Sequence, residues 1–155
     1  MVDTLLGLIN SLSDPAAMLP DLEVLFTKLA QVIRVAVLAG PVALLVMGLI
    51  YLFLAPKEAN HSLGFRCWWG MSSVESWQFT QKLAGIAWTA LGAVLGVWGL
   101  FSTTGYTTVT ADDMMLSALN LLKWQLIVVV ASMVAINVVL VVLFDRKGQR
   151  RSEKR

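Results

Sequence analysis

The chain has 155 residues, of which 57% are hydrophobic and only 14% are charged, and its mean hydropathy is +0.73. A soluble domain of this length carries about a quarter charged residues, so this composition excludes a soluble globular protein and indicates an integral membrane protein. We expect the lipid bilayer to be its main partner. We expect no nucleic-acid partner, no cofactor and no metal ion.

Residues 1–34 form an N-terminal segment ahead of the first long apolar run. Asp14-Pro15 and Pro20 interrupt regular structure, but from Asp21 onward apolar residues recur at helical spacing and predict an amphipathic helix. These apolar positions are Leu22, Leu25, Phe26, Leu29 and Ile33. The helix either lies on the outer leaflet or continues into the first span as one long helix. We expect it to lengthen and anchor that span, with partner binding as the alternative.

Three runs contain no charged residue, at 35–55, 83–101 and 124–144. About 20 helical residues cross the roughly 30 Å hydrocarbon core of a bilayer, so each run predicts a transmembrane helix. The predicted fold class is an all-α membrane protein with an amphipathic N-terminal helix and a helical cytoplasmic connector. The predicted units are residues 1–34, a three-helix membrane domain at 35–144 that includes the connector 56–82, and a basic tail at 145–155.

The distribution of Lys and Arg predicts the orientation. The tail holds six of the twelve Lys and Arg residues, the connector 56–82 holds three, and the loop 102–123 holds only Lys123. The tail and the connector should therefore be cytoplasmic, with the N-terminus and the loop 102–123 outside a bacterial inner membrane. We interpret the tail as a topology anchor that is also attracted to anionic lipid.

Helix packing is expected to depend on small residues, because lipid removes any hydrophobic reason for helices to associate. The second span presents Gly92, Gly96 and Gly99, and the third presents Ala131 and Ala135. We expect Gly48 in the first span to matter less.

Proline at position 41 removes the backbone donor to Val37 and should kink the first span. The third span contributes Ser132 and Asn137 as polar groups that need partners away from lipid. None of the three spans carries an ionisable residue, which argues against a transport pathway within one protomer.

The connector carries local signals of its own. Ser72-x-x-Glu75 fits a capping box and predicts a helix that starts near Ser73 and runs into the second span. On that helix Trp77, Gln81 and Gly85 share one face, with Trp88 one turn further on. Tryptophans 68, 69 and 77 suit the headgroup region. Arg66 is predicted to hold lipid phosphate, a partner's carboxylate, or Glu75 of the same connector.

The order of these residues resembles the SdpI family of small bacterial membrane proteins. The resemblance rests on Asn60-x-x-x-Gly64-x-Arg66, followed by further motif positions just before a glycine-rich span. Those positions are Ser73, Glu75, Trp77, Gln81 and Gly85.

The resemblance implies protection of the membrane against a secreted toxic peptide, or sensing of that peptide, as in the founding member, which also holds a transcriptional repressor. Possible partners are thus a toxin peptide or a cytoplasmic regulator. The alternative function is a structural subunit of a larger membrane complex, bound to other membrane subunits or to copies of itself. An enzyme is not expected, since the sequence has no Ser–His–Asp set, metal cluster or phosphate-binding loop. The predicted partner-binding residues are Asn60, Gly64, Arg66, Glu75, Trp77, Gln81 and Gly85.

Overall fold

The computed structural model describes residues 22–59 and 63–151. In these ranges the chain forms three helices, α1 (Leu22–Phe53), α2 (Val74–Ser102) and α3 (Ala111–Leu143). Each is long and apolar enough to cross a membrane. The chain is therefore a multi-pass, all-α membrane protein, and the predicted fold class is confirmed. The predicted breakers in residues 1–20, and Asn60 and His61 of the connector, lie outside the described residues.

Helix α1 is one continuous helix of 32 residues. At 1.5 Å per residue it is about 48 Å long, well beyond the roughly 30 Å of a hydrocarbon core. The predicted amphipathic segment is thus the first part of the first span's helix. Only part of its predicted apolar face is covered, because Phe26 and Ile33 pack against the start of α3 while Leu25 and Leu29 are exposed.

Helices α1 and α2 pack along a glycine-lined contact. A Cβ atom on Gly92 would lie 2.5 Å from the backbone nitrogen of Leu45, and one on Gly85 would lie 3.0 Å from the carbonyl oxygen of Gly48. A Cβ on Gly48 would overlap the backbone of Thr89. The expectation that Gly48 matters less is therefore wrong, because its lack of a side chain lets the two backbones touch.

The other two glycines predicted for packing have more space. A Cβ on Gly96 would lie 3.7 Å from the Cβ of Pro41, an ordinary contact, and one on Gly99 would lie 3.1 Å from the Leu38 Cδ2. Gly92 is thus the member of the Gly92-x-x-x-Gly96 pair that meets backbone.

Helix α3 contacts α1 and α2 through polar side chains, only some of which were predicted from the sequence. Pro41 lies inside α1 and has no N–H for the carbonyl of Val37. The Nε2 of Gln125, a buried side chain of α3, donates to that carbonyl at 3.1 Å. An unpaired backbone carbonyl in lipid costs several kcal/mol. Gln125 therefore supplies, from α3, the hydrogen bond that Pro41 cannot donate within α1.

A second polar link joins α2 to α3, since the indole N–H of Trp88 donates to Ser132 Oγ at 3.2 Å. Near this link Ile136 and Leu140 of α3 are buried in the main core cluster. Ala131 and Ala135 are exposed, so the prediction that they form the packing face of α3 is wrong.

The loop between α2 and α3 is shorter than predicted, because α3 begins at Ala111 rather than near residue 124. Thr110 is its N-cap and accepts a hydrogen bond from the backbone N–H of Asp113 at 3.2 Å. Asp112 and Asp113 lie in the first turn, where negative charge stabilises a helix. Residues 111–123 are thus an extension of the third helix.

Candidate functional site

The N-terminus of α2 is capped within the connector. Ser73 is the N-cap, its Oγ accepts from Ser76 N at 3.0 Å, and Ser76 Oγ accepts from Ser73 N at 3.1 Å. The predicted start near Ser73 is confirmed. The predicted pairing of Ser72 with Glu75 is wrong, since the Ser72 hydroxyl donates to the Trp68 carbonyl instead. The backbone N–H groups of Ser73 and Ser76 are thus each bonded to the side chain of the other serine. The Glu75 carboxylate takes no part in the cap and can make another contact.

The connector folds back on α2 through the side chain of Gln81. Its Oε1 accepts from the Phe65 N–H at 2.7 Å, and its Nε2 donates to the Phe65 carbonyl at 2.9 Å. The side-chain amide of Gln81 thus bonds to both the N–H and the carbonyl of Phe65, as the backbone of a neighbouring β-strand would. Gly64 precedes this contact with φ +126° and no room for a side chain, because a Cβ would lie 2.7 Å from Trp77 and 2.8 Å from Gln81.

Trp77 fixes the start of the connector. Its side chain is fully buried, and its Nε1 donates to the Pro56 carbonyl at 2.8 Å. One residue later, Gln78 Nε2 donates to the Lys57 carbonyl at 3.2 Å. Trp77 and Gln81 therefore hold the connector at its start and at its middle. The face predicted for Trp77, Gln81, Gly85 and Trp88 is buried throughout.

The three connector tryptophans have different surroundings. Trp68 is 81% exposed, whereas Trp69 packs partly buried against the main core cluster. Only Trp68 is thus placed as a headgroup anchor would be. Burial raises the pKa of the neighbouring Cys67 thiol, and a hydrogen bond with the Gly70 backbone opposes this only in part.

Residues 145–151 of the tail form an ordered turn that was not predicted from the sequence. Asp145 Oδ1 accepts from the backbone N–H groups of Lys147 and Gln149, both at 2.9 Å, and Phe144 pairs with Arg150 in an isolated bridge. Gly148 adopts φ +73°, a left-handed conformation that favours glycine. The signal in the sequence was an Asp followed three residues later by a Gly, a common turn pattern.

This turn docks on the start of α2. Ser73 Oγ donates to the Gly148 carbonyl at 2.7 Å, and a Cβ on Gly148 would lie 2.8 Å from the Ser73 nitrogen. Residues of the connector and of the tail therefore meet at the same end of the helix bundle. The contact agrees with the prediction that the connector and the tail lie on the same side of the membrane.

The carboxylate of Glu75 is paired with the tail. Arg150 Nε lies 2.8 Å from Glu75 Oε1, and its guanidinium lies over the rings of Phe79 and Phe144 at 5.7 and 5.8 Å from their centroids. Both charged side chains are about half exposed, so the ion pair itself contributes little, roughly 0–1 kcal/mol. The aromatic contacts add specificity to the docking.

The side chain of Arg66 is exposed and makes no hydrogen bond or ion pair within the described part of the chain. The predicted alternative of an Arg66–Glu75 pair is wrong, because Arg150 holds that carboxylate. Among the predicted partner-binding residues Arg66 is thus the exposed cation, Asn60 lies outside the described residues, and Gly85 lies in the α1–α2 contact. The others hold the connector or the tail in place.

Within residues 22–59 and 63–151 the fold is that of a small membrane protein with three candidate spans. The connector between the first two of them is folded back on the second helix. The chain belongs to the SdpI/YfhL protein family, which matches residues 56–143, more than half of its length. The resemblance seen in the sequence is thereby confirmed. No curated protein and no solved structure gives a significant match.

Proposed function

We propose that this protein protects a bacterial inner membrane against a secreted toxic peptide, or senses that peptide, without acting as an enzyme. Membership of the SdpI/YfhL family supports this role. The proposed orientation places the connector and the tail in the cytoplasm and the N-terminus outside.

The observation that carries the proposal is the position of Arg66. Gly64, Trp77 and Gln81 are used to fix the connector, while Arg66 stands exposed on it with its guanidinium unpaired among the described residues. A guanidinium offers a planar fork of donors that matches a carboxylate or a phosphate. A fixed backbone that presents such a group is suited to a peptide inserted in the membrane, or to a cytoplasmic regulator.

Survival of sensitive bacteria challenged with secreted antimicrobial peptides tests the proposal. Arg66→Ala should abolish protection at unchanged membrane abundance, and Arg66→Lys should restore it only in part, because an ammonium lacks the planar fork. Arg146→Ala is the matched control, an exposed arginine at the same end of the bundle. Equal protection by Arg66→Ala and by the unaltered protein would show that Arg66 is not the working group.

The buried motif residues need a different interpretation in this assay. Trp77→Ala removes a fully buried side chain and its bond to Pro56, and such truncations destabilise by about 3–5 kcal/mol. Loss of protection by this variant therefore counts only when immunoblots show normal membrane levels.

Reporter fusions test the proposed orientation. Fusions after Arg155 and within residues 57–59 should report the cytoplasm, and one at Gly105 should report the outside. A shared side for Gly105 and Arg155 would contradict three spans.

A second candidate, a subunit of a larger membrane complex, is favoured by Asn137. Its amide donates to the Met133 carbonyl of its own helix at 2.8 Å, on an apolar face of α3 that it shares with Val134 and Val141. An amide on a lipid-facing surface gains from a polar partner on another helix. Identification of proteins that copurify from the native membrane with the unaltered protein, but not with Asn137→Leu, would favour this candidate.

A further inference from the structure

A cleft lies between the end of α1 and the start of α2, at the end of the bundle where the connector is folded. Its volume is about 470 Å³, within the roughly 300–1,000 Å³ typical of small-molecule sites. We call it the cationic cleft, because its lining includes two lysines and no acidic residue. The lining residues are Tyr51, Leu52, Phe53, Ala55, Pro56, Lys57, Gln78, Gln81 and Lys82.

The connector wall of the cationic cleft is fixed by α2. Trp77 holds the carbonyl of Pro56, and Gln78 holds the carbonyl of Lys57, across 21 positions of sequence in each case. The Lys57 backbone is thereby kept opposite Lys82, which lies on α2 one turn beyond Gln78. The two ammonium groups thus serve one cleft because of the fold and not because of sequence proximity.

The two lysines of the cleft have no acidic partner in the described part of the chain. Lys57 and Lys82 form no ion pair within the described residues, and Glu75, the carboxylate nearest to Lys82 along α2, is engaged by Arg150. Glu58 follows Lys57 in the chain but is exposed and is not among the lining residues.

Tyr51 provides a second, independent observation. Its side chain is only 7% exposed, its ring is packed against Trp88 at 5.4 Å between centroids, and it lines the cleft. Yet its hydroxyl makes no hydrogen bond to any described residue. A hydroxyl that opens on a cleft and makes no bond to the protein is available to donate to water or to a ligand.

We propose that the cationic cleft binds a phosphate group, carried either by the headgroup of an anionic phospholipid or by a small phosphate ester. Lysine binds phosphate as a point charge, and the Tyr51 hydroxyl is an additional donor. The exposed apolar side chains of Phe53 and Leu54 beside the cleft suit contact with acyl chains. Basic pockets between transmembrane helices are known to take anionic headgroups. The proposal does not depend on a role in toxin protection.

Native mass spectrometry of the purified full chain tests the proposal by counting bound phospholipid. The titrated lipids are phosphatidylglycerol, whose headgroup is anionic, and phosphatidylcholine, whose phosphate is neutralised by its own cation. The test variant is Lys57→Gln/Lys82→Gln. The control, Arg146→Gln/Lys147→Gln, removes the same charge at the same end of the bundle but outside the cleft.

The unaltered protein should bind one phosphatidylglycerol in preference to phosphatidylcholine. The test variant should lower that affinity by about 30-fold, the factor expected for two basic residues near a charged membrane surface, and the control should lower it by less than about threefold. Tyr51→Phe should weaken binding without changing thermal stability in lipid-free detergent, because the lost hydroxyl has no protein partner. A second titration with soluble glycerol 3-phosphate distinguishes the sources, since saturable binding that needs both lysines indicates a free phosphate ester.

Equal losses for the test and control variants, with both lipids and with glycerol 3-phosphate, would overturn the proposal. So would equal binding of the anionic and zwitterionic lipids with no binding of glycerol 3-phosphate. Thermal unfolding of each variant without lipid shows whether a loss of binding comes from misfolding. Lys57 and Lys82 are exposed, so their replacement should leave the unfolding temperature unchanged.

Discussion

Adding one methyl group at two glycines of α2 should have opposite effects on stability. A Cβ at Gly92 would lie 2.5 Å from the backbone nitrogen of Leu45 and 2.8 Å from its Cα. A Cβ at Gly96 would lie 3.7 Å from the Cβ of Pro41, which is within the optimal range of carbon contacts. We therefore expect Gly92→Ala to destabilise the helix pair and Gly96→Ala to stabilise it.

The magnitude follows from these distances. To restore ordinary contact at Gly92, α1 and α2 must separate locally by about 1 Å, and a gap of this size forfeits a quarter to a half of each dispersion contact. Overpacking of this kind costs about 1–3 kcal/mol. Each substitution also gains about 0.5–1 kcal/mol, because alanine loses less backbone entropy than glycine in a helix. That gain cancels between the variants, so their free energies of unfolding should differ by about 1–3 kcal/mol.

The measurement is the free energy of unfolding in mixed detergent micelles titrated with a denaturing detergent, for both variants under identical conditions. Secondary-structure content before unfolding serves as the control for correct insertion. If Gly92→Ala proves as stable as Gly96→Ala, then the backbones of α1 and α2 are not in contact at this point, and the packing argument fails.

Three further predictions follow from single contacts. Gln125→Leu should destabilise the protein by about 1–3 kcal/mol, because it leaves the carbonyl of Val37 without a donor. The loss should be smaller in a Pro41→Ala background, where the residue at 41 supplies the helix's own N–H to that carbonyl. Equal losses in both backgrounds would show that Gln125 does not replace the missing donor. Because burial raises the pKa of Cys67, less thiolate forms at pH 7, and maleimide labelling of the folded protein should be slower than labelling after unfolding. The pH at which the labelling rate is half-maximal should also be higher for the folded protein. The same half-maximal pH before and after unfolding would contradict this prediction. Gly148→Ala should detach the tail at a cost of about 1–2 kcal/mol, seen as faster amide exchange at residues 145–151, whereas unchanged exchange would show that the turn does not need glycine.

The three spans could be predicted because the bilayer core excludes charge, and so charge-free runs of sufficient length mark them. The same criterion placed the start of the third helix near residue 124, since it ignores helix that lies beyond the hydrocarbon core. The start at Ala111 depends on the cap at Thr110. A threonine two residues before a pair of aspartates is a weaker sequence signal than a long apolar run.

The candidate site could be predicted only as a set of residues. The shared face of Trp77 and Gln81 follows from helical periodicity, but their partners are backbone atoms of the connector, whose identity no side-chain pattern reveals. The docking of Gly148 on Ser73 joins residues 75 positions apart. The sequence shows the basic residues of the tail and the serines at the start of α2, but it does not show that these two segments are in contact.

The hydrogen bond from Gln125 to Val37 has a consequence for biogenesis. The chain is synthesised from its N-terminus, so α1 reaches the insertion machinery long before the ribosome has translated codon 125. During that interval the carbonyl opposite Pro41 lacks its donor, and an unsatisfied group in hydrocarbon costs several kcal/mol. The first helix therefore gains its full set of hydrogen bonds only when the third helix packs against it. A chain that ends before Gln125 contains α1 and α2 but leaves the Val37 carbonyl without the donor that the full chain provides.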